Sequence, residues 1–425
     1  MSRLTVIIDS YHEPNVMSMR LGCGIALLAR DTESMRLSMT VDWIWQHDEW
    51  PNFCWQDRQL LPRLRQVYRN LGLLQGLHSS VHSTTLAHQA HVLDTLLANL
   101  IASSAIENQR LNGQSLRTSL ARHLGISEQT PYPTSDRSDG LAAMIVDAIY
   151  NSDEQLTLER LLQWHRWLFP ADDRRLHQIR VGQLRGNEPM QVISGARDRL
   201  IVHFEAPPRE GLGQALATFI DWFRTSLDDP CLDPLLRAAI CHLWFVTLHP
   251  FDDGNGRITR ALTDLALSQA DNQSISMYAM STVIFERRAA YYRALEQTQR
   301  GGLDITPWLV WFLDTLNVTL EQAQQSCTHT LARNRFWQQH ASDQLFTEQI
   351  QILNHLLDGY IQGGLPCISA SQYQKIAQVS KSTATRHLTD LLEKNCLEKG
   401  SSRDLGEVEV DRQGAGKLAV SKHTT

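Results

Sequence analysis

The chain has 425 residues, 42% of them hydrophobic, and a formal net charge of −6, which gives room for two or three domains with cores of their own. That charge excludes a global nucleic-acid footprint, and no apolar run reaches the roughly eighteen residues of a membrane span. The seven cysteines contain no Cys-x-x-Cys pair, so neither a disulfide framework nor a structural zinc site is indicated, and reduced thiols in the cytoplasm are the simplest reading.

Residues 1–38 read as a disordered extension, or as the product of an upstream start, with Met39 the natural beginning. Their one apolar piece, Leu21 to Ala29, is broken by glycines and lacks a clean cleavage site, which speaks against a signal peptide. From Trp43 to about Leu116 the pattern is helical throughout, giving an N-terminal helical domain over 39–116. Trp43-Ile44-Trp45 and Trp50-Pro51-Asn52-Phe53 form an aromatic cluster suited to a core or a helix staple. Leu93, Leu96, Leu97, Leu100 and Ile101 stripe the last helix of this stretch. Ser103 and Glu107 follow at i and i+4, on one helix face.

Residues 180–208 change character. Gly182, Arg185 and Gly186 punctuate a turn region. Met190–Ser194 and Leu200–Phe204 then bracket a polar connection, and Pro207-Pro208 ends the run. This is a β-hairpin pattern, with Gln191, Val192, Ile193, Ile201 and Val202 on its strands.

Asp233 and Pro234 start the next helix as N-cap and first helical residue. Leu235, Leu236, Ala239, Ile240, Leu243 and Trp244 recur at helical spacing up to His249, as in a buried helix. The stretch His249-Pro250-Phe251-Asp252-Asp253-Gly254-Asn255-Gly256-Arg257-Ile258-Thr259-Arg260 follows. Beyond it, Ala261, Leu262, Leu265 and Ala266 stripe another helix. The middle segment is therefore a loop opening a helix, whose first free N–H groups and dipole favour an anion. His249 can act as a base near neutral pH, Asp253 can hold a divalent cation, and the glycines allow close backbone approach. A P-loop would need Lys-Ser/Thr after its last glycine, and a dinucleotide turn a third glycine; neither is present.

Eight of these positions (His249, Phe251, Asp253, Gly254, Asn255, Gly256, Arg257 and Arg260) match H-x-F-x-[D/E]-G-N-G-R-x-x-R. By chance that pattern arises on the order of 10⁻¹⁰ per start position. The chain thus resembles the Fic family of protein adenylyltransferases. The resemblance implies transfer of AMP from ATP to a Ser, Thr or Tyr hydroxyl of a target protein. In that scheme His249 is the general base, Asp253 binds Mg²⁺, and Asn255 with the amides around Gly254 and Gly256 forms the anion hole. Arg257 holds the β-phosphate side, Arg260 the γ-phosphate, and Phe251 anchors the loop. Ser103-Ser104-Ala105-Ile106-Glu107-Asn108 fits the family's inhibitory helix motif [S/T]-x-x-x-E-[G/N], so Ser103, Glu107 and Asn108 are candidate inhibitory residues, with Glu107 pairing Arg260. The 190–204 hairpin is similar to the family's target-docking flap, and its exposed edge would register a target by main-chain pairing.

Phe285–Gln299 and Thr306–Gln325 read as helices similar to those after the family motif. Tyr291 and Tyr292 are candidates to stack on adenine, with core packing as the equal alternative. Over 345–412 the pattern suggests a winged helix: a stripe of Ile350, Leu353, Leu357 and Ile361, helices over 369–379 and 380–395, and a wing at Gly400–Arg403. Lys381, Ser382, Thr383, Thr385 and Arg386 would open its recognition helix. Between 370 and 403 there are six basic residues against three acids, a modest excess that favours partner docking over DNA.

The expected fold is mainly α: a Fic-type core over 117–340 with a small hairpin flap, the winged helix, and a tail over 413–425. The expected partners are ATP, hydroxyl-bearing protein targets, a homodimer copy and, through the C-terminal module, DNA, with no membrane. Two alternatives stay open: a DNA-binding regulator whose core senses nucleotide, and an enzyme acting mainly as a deAMPylase.

Overall fold

The computed structural model describes residues 5–8, 43–81, 85–128, 130–170, 179–194, 201–270, 278–361, 367–399 and 418–420. The chain divides into two compact units, residues 1–72 with 86–321 and residues 73–85 with 322–425. No described helix is long and apolar enough to cross a membrane.

The first unit is helical around one central pair. Its helices are α1 (Asp57–Val81, up to residue 72), α2 (Thr85–Ile106), α3 (Gly113–His123), α4 (Asp136–Tyr150), α5 (Leu158–Leu168), α6 (Leu212–Thr225), α7 (Pro234–Leu248), α8 (Asn255–Ala270), α9 (Met280–Glu286), α10 (Arg288–Gln299) and the first part of α11 (Thr306–Gln339). Several starts follow the capping rule. Asn112, Ser135, Thr157 and Asp233 each accept a backbone N–H of the turn they open. α7 is buried from Leu235 to Leu248, and a helix apolar on every face belongs at the centre. Its polar side chains are paired internally: His242 lies 2.8 Å from Thr263 Oγ1 and 2.9 Å from the Tyr291 hydroxyl, and Arg237 donates to Ser226 and Gln269.

Three expectations need correction. Helix does not run from Trp43: Ile44–Gln46 is a single 3₁₀ turn, and α1 begins only at Asp57. The intervening backbone is used elsewhere, since Cys54 exchanges hydrogen bonds with Leu303 and Ile305. The helix expected over 285–299 is two helices meeting at Arg287, and the one starting at Thr306 runs to Gln339. The division expected near 340–345 falls instead between Glu321 and Gln322, inside α11.

The first unit carries one small sheet, ordered β1-β2-β3. β2 (Gln191–Ser194) and β3 (Ile201–Glu205) form the expected antiparallel hairpin, with a register shift between Val192 and Ile193. β1 (Thr5–Ile8) adds in parallel, Thr5 opposite Gln191 and Ile8 opposite Ser194. These four residues of the 1–38 stretch stand in a strand: their Thr-Val-Ile-Ile run suits one and β2 offers an edge. The remainder of 1–38 lies outside the described residues.

The second unit contains the rest of α11, α12 (Thr347–Ile361), α13 (Ala370–Ala377), α14 (Lys381–Glu393) and a sheet of β4 (Cys367–Ile368), β5 (Leu397–Lys399) and β6 (Leu418–Val420) in the order β4-β6-β5. Phe336, Ile352, Leu353, Tyr373, Leu388, Leu391 and Leu397 form its core. Ser369 caps α13 in a capping box with Gln372, and Ser380 caps α14, so both helices expected from the sequence are present. Lys381, Ser382, Thr385 and Arg386 are exposed on the first turns of α14. The expected wing at Gly400–Arg403 and the tail beyond Val420 lie outside the described residues.

Candidate active site

α7 and α8 are joined by the loop 249–254. His249 is the C-cap of α7 and adopts φ 47°, ψ 57°, a left-handed conformation. Its backbone N–H donates to Phe245, which closes the helix. Its Nδ1 lies 3.1 Å from the Val246 carbonyl; only a protonated Nδ1 can donate there, so Nε2 carries the lone pair. Burial lowers its pKa to about 4, with Arg185 acting in the same direction and the Val246 hydrogen bond, Glu107 and Asp253 opposing. At neutral pH the imidazole is therefore neutral and ready to accept a proton at Nε2.

α8 starts at Asn255, directly after Gly254 at φ 83°, where a side chain would be strained. The N–H groups of the first turn have no intrahelical partner. The space above them holds the Glu107 carboxylate: a Cβ on Gly256 would lie 2.1 Å from Glu107 Oε1. Glu107 Oε1 accepts from Arg260 Nη2 at 2.9 Å. Arg260 also donates to Ser103, Nε to Oγ at 2.8 Å and Nη2 to the carbonyl at 2.7 Å. Arg257 is buried over the Phe169 ring and donates to Gln109 at 2.8 Å. Its Nε and Nη2, like Nη1 of Arg260, are buried without a hydrogen-bond partner. Unpaired buried guanidinium donors are costly, and an anion is what would satisfy them.

The loop is braced from several directions. The Asn255 side chain accepts from Phe251 N–H at 2.9 Å and donates to the Phe251 carbonyl at 2.8 Å. Both ends of the amide are thus tied to the loop, with the second Nδ2 hydrogen and the backbone N–H not used by these bonds. The Asp252 carboxylate is buried and accepts from the backbone N–H groups of Arg180 and Gly186. Arg185 Nε donates to the His249 carbonyl at 2.8 Å, while its Nη2 donates to Pro207. His165 stacks on Phe251 at 4.3 Å between ring centroids. Its Nδ1 accepts from Gly182 N–H and its Nε2 donates to the Asp253 carbonyl. Burial holds the His165 pKa at about 4, so this relay keeps one tautomer.

A cavity of about 260 Å³ opens over the loop, lined by Glu107, His249, Asp253 to Gly256, Tyr292, Glu296 and Gln299, and by Val192, Ser194 and His203 of the hairpin. Ser194 Oγ lies 2.6 Å from His203 Nε2, and His203 Nδ1 lies 3.0 Å from Glu296 Oε2, which fastens the hairpin to α10. Base, anion site and hairpin thus share one cavity.

The Fic/DOC family model matches residues 155–267, the stretch that holds His249, the loop and the helix start. This stretch resembles the Fic family. A second model, "Domain of unknown function (DUF4172)", matches residues 43–126. Among curated relatives, "Protein adenylyltransferase Fic" of Nematostella vectensis is 28% identical over 162 residues, 38% of this chain and 32% of the relative. The protein of the same name from Drosophila willistoni is 29% identical over 182 residues, 43% of this chain and 32% of the relative. The chain spans about a third of the length of these relatives. Among solved structures, a Fic family protein from Desulfovibrio desulfuricans G20 aligns at TM-score 0.48 and 20% identity, covering 80% of this chain and 90% of that one. Fic-1 from C. elegans aligns at TM-score 0.40 and 19% identity, covering 61% of this chain and 73% of that one.

The structure brings together His249, Asp253, Gly254, Gly256, Arg257 and Arg260 from the loop and α8, and Ser103 and Glu107 from α2. Asn108 adopts φ 56° and accepts from Arg288, so it ends α2 rather than facing the loop. Tyr291 is buried with its hydroxyl on His242, and both Tyr291 and Tyr292 line the cavity. The hairpin departs from the expected free edge. β2 is covered by β1, and on β3 the Val202 carbonyl accepts from Arg300 at 2.6 Å. Ile193 is buried and Ile201 exposed. Sequence reading gave no part to His165, Asp252 or Gln109 and named Arg185 only as a turn residue. A signal existed for Asp252, which lies inside the 249–260 stretch, and none for His165 or Gln109.

Proposed function

We propose that this protein transfers AMP from ATP to a hydroxyl group of a protein target, and that Glu107 holds the activity low. The observation that carries this reading is the Glu107 carboxylate itself: it stands over the Gly256 helix start and is bonded to Arg260. A carboxylate there takes the place and the arginine that a nucleotide phosphate would use.

In the reaction, the neutral Nε2 of His249 removes the proton of the target hydroxyl. The hydroxyl oxygen attacks the α-phosphorus, the bond to the bridging oxygen of the β-phosphate breaks, and pyrophosphate leaves. Backbone N–H groups at the α8 start stabilise charge on the α-phosphate. The unpaired donors of Arg257 and Arg260 receive the outer phosphates. Asp253 suits Mg²⁺: its side chain is 39% exposed and faces the cavity, and only Oδ1 is engaged, by Gly254 N–H at 2.6 Å. Bound with substrate phosphates, Mg²⁺ supplies charge neutralisation there. The target segment docks at the cavity beside the hairpin, where Val192, Ser194 and His203 line it. The cysteines among the described residues are all free, which fits work in the cytoplasm.

The test is incubation with α-labelled ATP and Mg²⁺. Wild type should label itself and added protein weakly, Glu107→Gly should label strongly, and the double variant with His249→Ala should not label. Equal labelling by wild type and Glu107→Gly across ATP and Mg²⁺ concentrations would remove the inhibitory part. Absence of label from Glu107→Gly as well would remove the transferase reading.

A further inference from the structure

In the second unit, far along the chain from the Fic loop, three lone-pair donors meet. His340 follows the last turn of α11, Asp343 lies three residues on in the next turn, and Cys396 sits between α14 and β5. His340 Nδ1 is 2.7 Å from Asp343 Oδ2. Cys396 Sγ is 3.4 Å from the same nitrogen and 3.9 Å from the same oxygen. We propose that His340, Asp343 and Cys396 bind a borderline divalent transition-metal ion, zinc foremost, with one coordination position left open on the Asp343 side.

A His–Asp hydrogen bond alone accounts for the 2.7 Å contact but leaves the sulfur unexplained. A thiol converging on a nitrogen and an oxygen that already share a proton makes only long, weak contacts with both. Around a tetrahedral zinc, with ligand distances of about 2.0–2.3 Å, neighbouring donor atoms stand roughly 3.3–3.6 Å apart. The three observed separations bracket that range, so an ion would need each donor to move by a few tenths of an ångström. The donor set selects the metal class: thiolate and imidazole favour zinc-like ions, whereas magnesium and calcium prefer oxygen alone. Lys394, a cation close in sequence, is held by Asp390 and the Gln344 carbonyl and so is diverted from the cluster.

Burial sets the access and the strength. His340 and Cys396 are 5% and 0% exposed, while the Asp343 side chain is 26% exposed, so solvent reaches the cluster past the carboxylate. Binding displaces the thiol proton and moves the imidazole proton to Nε2, which is buried without a partner. Ligating histidines normally give that proton to a second acceptor. Its absence makes this an exchangeable site, weaker than a closed structural zinc centre. The ion would tie the end of α11 to the α14–β5 turn, 53 residues beyond Asp343, and so stabilise the second unit by linkage.

Cobalt titration of the reduced full-length chain tests this independently of nucleotide chemistry. The expected result is one Co²⁺ per chain, tetrahedral visible bands, a near-ultraviolet sulfur-to-cobalt charge-transfer band, and displacement by Zn²⁺. Cys396→Ser should abolish the charge-transfer band, and Asp343→Asn, at a partly exposed position, should weaken binding by at least about tenfold. No binding, binding without the sulfur band, or a band that survives Cys396→Ser would each overturn the proposal; the last would assign it to another cysteine of the chain. Should Cys396→Ser fail to fold, an unchanged affinity in Asp343→Asn overturns it alone.

Discussion

Asp264 lies one helical turn beyond Arg260 on α8, and its carboxyl group should be a stability switch near neutral pH. It is 6% exposed, and Oδ2 accepts from Asn99 Nδ2 at 3.0 Å. Arg260, the nearby cation, is already engaged by Ser103 and Glu107. Burial therefore prevails and raises the Asp264 pKa from 3.8 to about 7. At about 1.4 kcal/mol per pH unit, ionising this group in the folded protein costs on the order of 4 kcal/mol more than in the unfolded chain. Because the folded value lies above the unfolded one, the stability is fully present below pH 4 and is lost as pH rises through 7. Asp264→Asn keeps the acceptor for Asn99 and removes the titration, but buries an NH₂ without an acceptor at a cost of about 1–3 kcal/mol. The net gain at pH 8 is thus roughly 1–3 kcal/mol, a rise in melting temperature of roughly 2–6 °C. At pH 4 the variant should be no more stable than wild type. Melting curves of both proteins at several pH values check this. A mutant-minus-wild-type difference that does not change with pH would refute the assignment of a buried, near-neutral carboxyl.

His249→Ala should lower AMP transfer by about 10²–10⁴-fold while ATP binding, measured by calorimetry in the Glu107→Gly background, persists. In that same background the transfer rate should hold its plateau down through pH 6 and fall only toward the His249 pKa of about 4, because protonation removes the Nε2 lone pair; a midpoint near 6.5 would show an unburied base. Gly256→Ala should remain inactive even when combined with Glu107→Gly, since its Cβ occupies the space at the helix start; an active double variant would displace the anion site from that position. Asp252→Ala should destabilise the protein by about 3 kcal/mol in urea titrations, because two backbone N–H groups lose their acceptor.

The helix–loop–helix was legible because its information is local. Asp233-Pro234 caps α7, apolar residues fill every face of it, and the Gly-rich loop must open a helix. Glu107 stood out because Ser103–Asn108 fits the inhibitory motif of the family the chain resembles, and the four-residue spacing puts Ser103 and Glu107 on one face. The braces were not, because each acts over long separations: Arg185 reaches the His249 carbonyl from 64 positions away and His165 reaches Asp253 from 88. No periodicity marks a side chain whose partner is a distant backbone carbonyl. The late start of α1 escaped for a related reason. The aromatic run 43–53 looks helical in isolation, but its rings pack against Phe204 and Trp244, and that packing fixes an irregular backbone.

The left-handed backbone of His249 has a consequence for how this position can change. A β-carbon in that conformation costs roughly 1–2 kcal/mol, which glycine avoids and asparagine reduces. The fold alone would place one of those residues at the end of α7; the imidazole is there against local preference. A population of variants screened only for heat resistance should therefore lose His249 early, to Gly or Asn, while keeping the rest of the loop. Such chains would be well folded and still able to seat a nucleotide, and their durability would have been obtained by giving up the proton acceptor.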